Sequence, residues 1–94
     1  MENLLTILKS FKNLTAAGDV DEIKVIDNIN VTSSNDEIII TGLGIDEEDN
    51  DIENDRFVLK TCNIVKFIDN NYGEFLHSVD LLLNNGKMII LETF

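Results

Sequence analysis

Over residues 3–17 the apolar positions Leu4, Ile7, Leu8, Phe11 and Leu14 recur at three- and four-residue steps. That spacing places them on one face of an amphipathic helix. Lys9, Lys12 and Asn13 take the opposite side, and Ala16-Ala17-Gly18 closes the element, with Gly18 where a left-handed cap residue is wanted. From residue 22 the period changes to two. Ile23, Val25, Ile29 and Val31 alternate with Lys24, Asn28 and Asn30, the pattern of a half-buried strand. Asp27 falls on the apolar side of that alternation, so it marks either a bulge or a tight Asp27-Asn28 turn.

Ser33-Ser34-Asn35-Asp36 is a turn cluster, and residues 37–43 form a β-branched strand around Ile38, Ile39 and Ile40. The two segments pair as a hairpin. Residues 56–60 read as a further strand on Phe57, Val58 and Leu59. Residues 62–72 fit two templates. Ile64, Phe67, Ile68 and Tyr72 suit a short second helix, whereas dense β-branching and the asparagines that follow favour a continued strand. Residues 75–83 alternate again, Asn84-Asn85-Gly86 is a hairpin signal, and residues 87–94 return as a strand through Met88, Ile89, Ile90 and Leu91. The expected fold is α+β: an N-terminal helix packed on a twisted antiparallel sheet of about five strands, with a short second helix as the alternative near 62–72. The C-terminal strand is a candidate exposed edge, through which a homodimer or a partner strand would form. A buried central position explains its apolar residues as well.

One stretch breaks the apolar pattern. Asp46, Glu47, Glu48, Asp49, Asp51, Glu53 and Asp55 crowd residues 46–55, with Ile52 the only apolar member. Mutual repulsion predicts a solvated, mobile loop within a single domain spanning 1–94. If extended, it would present carboxylates at a rise of ~3.3 Å per residue, close to the ~3.4 Å between phosphates along one DNA strand. These seven acids are therefore the candidate partner-binding residues. Asp19, Asp21, Glu22, Asp36 and Glu37 are expected to extend their field from strand or helix ends.

Composition sharpens this. Eighteen acids against seven bases give a net charge of −11 on 94 residues. A field of that sign repels phosphate backbones and anionic membranes, which argues against direct nucleic-acid or membrane binding. It suits basic protein surfaces, including grooves built to hold nucleic acid, as in a nuclease or a CRISPR effector. The plainer reading is that excess acid serves solubility. With 44% hydrophobic residues the core needs neither metal nor disulfide. The one cysteine, Cys62, cannot form an internal bridge, and the N-terminus carries no basic stretch ahead of an apolar run, so a cytosolic address is expected (the host cytosol for a phage-encoded chain).

Candidate chemistry is sparse. His77 shares a strand face with Phe75 and Val79 and has no sequence-coupled nucleophile, so it reads as a packing residue. Cys62 reads as a buried structural thiol. The acidic stretch fails the calcium-loop pattern in both registers: from Asp49 the sixth and twelfth positions hold Asn54 and Lys60, from Asp46 they hold Asp51 and Phe57. No phosphate-binding glycine motif occurs. The expectation is a binding protein without catalytic activity, metal or cofactor. In size, acidity and reducing address the chain resembles the small acidic inhibitors that phages carry against host defence, anti-CRISPR proteins and DNA mimics among them. It is similar in the same respects to the cytosolic immunity proteins that neutralise basic nuclease toxins.

Overall fold

Two asparagines in left-handed backbone shape much of this molecule. A computed structural model describes residues 2–46, 48–71 and 77–93. Its elements are a helix α1 (Glu2–Lys9) and seven strands: β1 (Leu14–Gly18), β2 (Lys24–Ser34), β3 (Glu37–Ile45), β4 (Asp51–Lys60), β5 (Ile64–Asn71), β6 (His77–Leu83) and β7 (Met88–Thr93). All strands join one antiparallel sheet in the order β4-β3-β2-β1-β7-β6-β5. The expected helix laid on about five strands is therefore corrected to a seven-stranded, mostly β architecture with one short helix. Among the described residues no second helix occupies 62–71: a single 3-10 turn, Thr61–Asn63, leads directly into β5, and Tyr72 lies outside the described residues.

The expected helix over 3–17 ends at Lys9. Ser10 N–H bonds Ile7 O at 3.0 Å and Phe11 N–H bonds Leu8 O at 3.1 Å, the tightening of a last turn. Leu14 explains the overlong expectation. It lies three residues beyond Phe11, as a helix wants, yet Leu14 and Ala16 are fully buried alternate positions of a strand. Pairing on both sides, to β2 and to β7, holds β1 in the middle of the sheet and overrides its helical spacing.

Asn28 (φ 50°) sits where the β2–β3 register slips between Asp27 and Asn30, and Asn54 (φ 56°) where β3–β4 slips between Gly42 and Gly44. Each is a bulge that inserts one residue, reverses the in–out parity and sharpens the local twist. In β2 the buried positions change from even (Ile26) to odd (Val31), with Ile29 also packed on the core. Ile23 lies just before β2 and is 68% exposed.

The curl that follows can be measured along the chain. β4 and β5 form opposite edges, and in a flat sheet six spacings of ~4.8 Å would hold them about 29 Å apart. Yet Lys60 and Ile64 are joined by Thr61–Asn63, a tether reaching at most ~14 Å. The sheet must wrap round until its two edges meet at that turn. Thr61 N–H bonds Asp36 O at 2.8 Å and Asn84 N–H bonds Asn63 O at 2.8 Å, so the turn is stitched to the β2–β3 and β6–β7 hairpins. Inside the wrap, Leu4 and Leu8 of α1 join Leu14, Ile38, Ile40, Val79, Leu81 and Leu91 in one core. Each such side chain contributes about 1.5–3 kcal/mol by leaving water.

The C-terminal strand β7 lies between β1 and β6, so it offers no free edge. The edges are β4 and β5. β5 carries exposed Val65 (61%) and Ile68 (47%), but a register slip between Ile64 and Lys66 and the exposed Lys66 blunt it.

Candidate functional site

The acidic stretch is half turn and half strand. Asp46 N–H bonds Asn50 O at 3.0 Å and Asp49 N–H bonds Asp46 O at 3.1 Å, closing a tight turn with Asp49 at φ 60°. The chain then enters β4 at Asp51, so residues 51–55, expected within a loop over 46–55, are strand, preceded by the turn that joins Asp46 to Asp49 and Asn50. The straight row of carboxylates does not form, because the turn folds its first half and the Asn54 bulge reverses its second.

The seven candidate acids accordingly separate. Asp46 Oδ1 accepts the N–H groups of Glu48 (2.9 Å) and Asn50 (2.8 Å) and serves its own turn. Glu48, Asp49, Asp51 and Glu53 are exposed, with no ion pair to any described residue. Asp55 turns inward: its side chain is 10% exposed, and its Oδ1 accepts Lys24 Nζ at 2.8 Å and Arg56 N–H at 2.8 Å. Glu47 lies outside the described residues.

Lys24 starts β2 and Asp55 lies in β4, so their bond crosses β3. Gly44 is what allows it, since a Cβ there would stand 2.6 Å from Asp55 Cβ and overlap the carboxyl group. Lys24 also approaches Glu22 Oε1 at 3.3 Å. The hydrogen bond it donates to Asp55 holds the Lys24 ammonium above its usual 10.5, against the opposing effect of burial, with Glu22 adding to the rise. Burial pushes the Asp55 carboxyl up, but the Lys24 hydrogen bond, the Arg56 amide and the Lys24 charge together hold it below its usual 3.8.

Strand register brings a second acidic segment to the same place. β1 ends, β2 begins, β3 ends and β4 begins at one rim of the sheet, so residues 19–23 lie beside the 46–50 turn. Gly18 (φ +88°) makes the corner, where a Cβ would meet Met88 O at 2.7 Å. Asp19 then clamps the loop to β7: its N–H bonds Met88 O at 2.8 Å and its Oδ2 accepts Met88 N–H at 2.9 Å. Two cavities open at this rim, one of about 410 Å3 between Glu22–Val25 and Ile45, Asp46, Ile52 and Asp55, the other of about 480 Å3 under Asp19–Glu22. Lys24 is the one base lining either, and it is already paired. No known family, curated protein or solved structure matches this chain.

Asp36 and Glu37 sit at the β2–β3 hairpin, the other end of β3, and do not join this rim. Ile23 and Ile52 (39% exposed) do, as an apolar pair that sequence reasoning did not assign to the site. Ile52, alone among acids, is the available signal; Ile23 gives none, because its spacing reads as part of the β2 alternation while it lies just before the strand.

Elsewhere, His77 Nε2 contacts Asp69 Oδ1, and the His77 ring meets Phe11 edge-on at 5.1 Å and 64°. Cys62, expected buried, is exposed on the 3-10 turn. Among the described residues no His, Cys, Asp or Glu group is arranged to hold a metal ion, and no helix is long and apolar enough to cross a membrane.

Proposed function

We infer that this chain is a non-enzymatic binding protein whose acidic rim occupies a cationic, nucleic-acid-binding groove of another protein. A nuclease or a CRISPR effector presents such a groove. The observation that carries this reading is the gathering of Asp19, Asp21, Glu22 and Asp46 around two cavities at the end of the sheet where β4 begins with exposed Asp51, the lysine that lines both being ion-paired. Exposed Ile23 and Ile52 beside them supply an apolar centre with a charged surround, the anatomy of a protein interface. Charge steers the encounter and sets its salt dependence, while apolar contact slows dissociation.

Neutralising the exposed acids together as Asp49→Asn, Asp51→Asn and Glu53→Gln tests this. Asp55 is left alone, because it belongs to the internal ion pair. Calorimetric titration with an all-lysine peptide is expected to show binding at low salt that weakens steeply as salt rises. The triple variant should bind at least about tenfold more weakly, at ~0.5 kcal/mol or more per lost charge pair, with an unchanged melting temperature. Equal affinity of the two proteins would overturn the proposal.

A further inference from the structure

Of the two edges of the sheet, β5 is the one that can accept another strand. β4 carries Asp51, Glu53 and Asp55 along its first half and is interrupted by the bulge at Asn54, which repels and misaligns an approaching strand. β5 is neutral, Lys66 balancing Asp69, on a chain of net charge −11. Its register slip lies at its start. From Lys66 to Asn71 it pairs with β6 residue for residue, so the backbone groups along its other side form a regular unpaired row. Ile68 is 47% exposed near the middle of that run, and Lys66 and Asn70 stand on the same face, two residues to either side. Asn70 Nδ2 donates to Asp80 Oδ2 on β6 at 3.2 Å, and its Oδ1 accepts from no described residue. Lys66 has no ion pair to any described residue.

We propose that a second copy of this chain adds its β5 antiparallel to the first, about a two-fold axis at Ile68. Such an axis stands perpendicular to the sheet and keeps each face on its own side, so only residues of like parity can face each other across it. With the axis at Ile68, the two Ile68 side chains meet, and Lys66 of each copy lies opposite Asn70 of the other. The Lys66 ammonium then donates to the Oδ1 of an amide that already leads to the Asp80 carboxylate, and the contact occurs twice. No neighbouring register does this. An axis at Phe67 sets Lys66 against Ile68, one at Lys66 sets ammonium against ammonium, and one at Asp69 sets carboxylate against carboxylate. Lys66 therefore guards the edge against an arbitrary strand and becomes a contact for a second β5. None of these residues lines either rim cavity, so the dimer does not use the rim.

Sedimentation equilibrium of the wild type and of Ile68→Lys, from about 10 µM to about 1 mM at low and at high salt, tests this. One strand pair makes a small interface, so the association is expected to be weak, with its midpoint inside that range. High salt should strengthen it by screening the repulsion between two chains of −11 each, whereas binding of an all-lysine peptide at the rim weakens with salt. Ile68→Lys makes the chain less negative yet sets two ammoniums against each other at the axis. It should stay monomeric throughout, with an unchanged melting temperature because the side chain is exposed. In magnetic resonance spectra of the labelled wild type over the same concentrations, the amides of residues 66–70 should shift and those of 19–24 and 45–53 should not, which reads the contact without any variant. A wild type that remains monomeric at about 1 mM in high salt, an Ile68→Lys variant that dimerises as the wild type does, or concentration-dependent shifts that spare β5 would each overturn the dimer and leave the rim reading untouched. Failure of the all-lysine peptide to bind overturns the rim reading and leaves the dimer standing.

Discussion

Lys24 and Asp55 hold each other across an intervening strand, and each is perturbed by the other in a way that stability measurements can read. Asp55, held below its usual value, contributes stability that is present above about pH 3.8 and lost as the pH falls through its folded value. Lys24, held above its usual value, contributes stability that is fully present below about pH 10.5 and lost as the pH rises beyond it. Between these limits the pair is intact. Lys24→Met leaves a nine-tenths buried carboxylate without its cation, which should cost about 1–3 kcal/mol in urea unfolding at neutral pH. The deficit relative to wild type should shrink as the pH is lowered through the acid range, because Asp55 then becomes neutral in the variant. A deficit unchanged down to about pH 3 would mean that lost packing by the lysine stem, not charge, sets the cost.

At the scale of elements, the bulges decide how residues 22–31 and 51–60 present their side chains. Asn tolerates left-handed backbone better than other non-glycine residues, so Asn54→Ala should destabilise by about 1 kcal/mol and Asn54→Gly by little or nothing, measured by thermal unfolding. If the alanine variant matches wild type, the bulge does not depend on that residue. The same bulges divide what was legible in the sequence from what was not. Regular alternation and strong turn residues carried the β2–β3 hairpin and the Asn84-Asn85-Gly86 return, and Asp27 correctly marked an irregularity, which is a bulge and not a turn. Charge repulsion alone predicts that residues 51–55 stay unpaired. In the fold they lie on an edge strand with solvent close by, where charged side chains cost little and discourage wrong pairing. The extent of α1 was misread because Leu14 satisfies two periods at once, and only the partners β2 and β7 choose between them.

At the scale of the whole molecule, curvature does what no local pattern announces. Bulged strands wrap the sheet until its edges meet at Thr61–Asn63, and that wrap gathers chain ends at a common rim. Two acidic segments far apart along the chain thereby share one surface, while Asp36 and Glu37 go elsewhere. The membership of the site is half visible: the 46–55 stretch stands out by composition and Asp19, Asp21 and Glu22 are among the acids expected to extend its field, but that Asp36 and Glu37 stay away, that Ile23 and Ile52 join and that Asp55 withdraws depend on register and parity.

The most direct measurement is therefore one of place. An isotopically labelled sample titrated with an all-lysine peptide at low salt, followed amide by amide in nuclear magnetic resonance spectra, reports where positive charge settles. The largest saturable shifts should fall on residues 19–24 and 45–53, with the Asp36–Glu37 hairpin and the exposed Asp27 little changed. Shifts spread evenly over every exposed acid would show that the rim has no special affinity, and that its carboxylates serve only to keep the molecule apart from its neighbours.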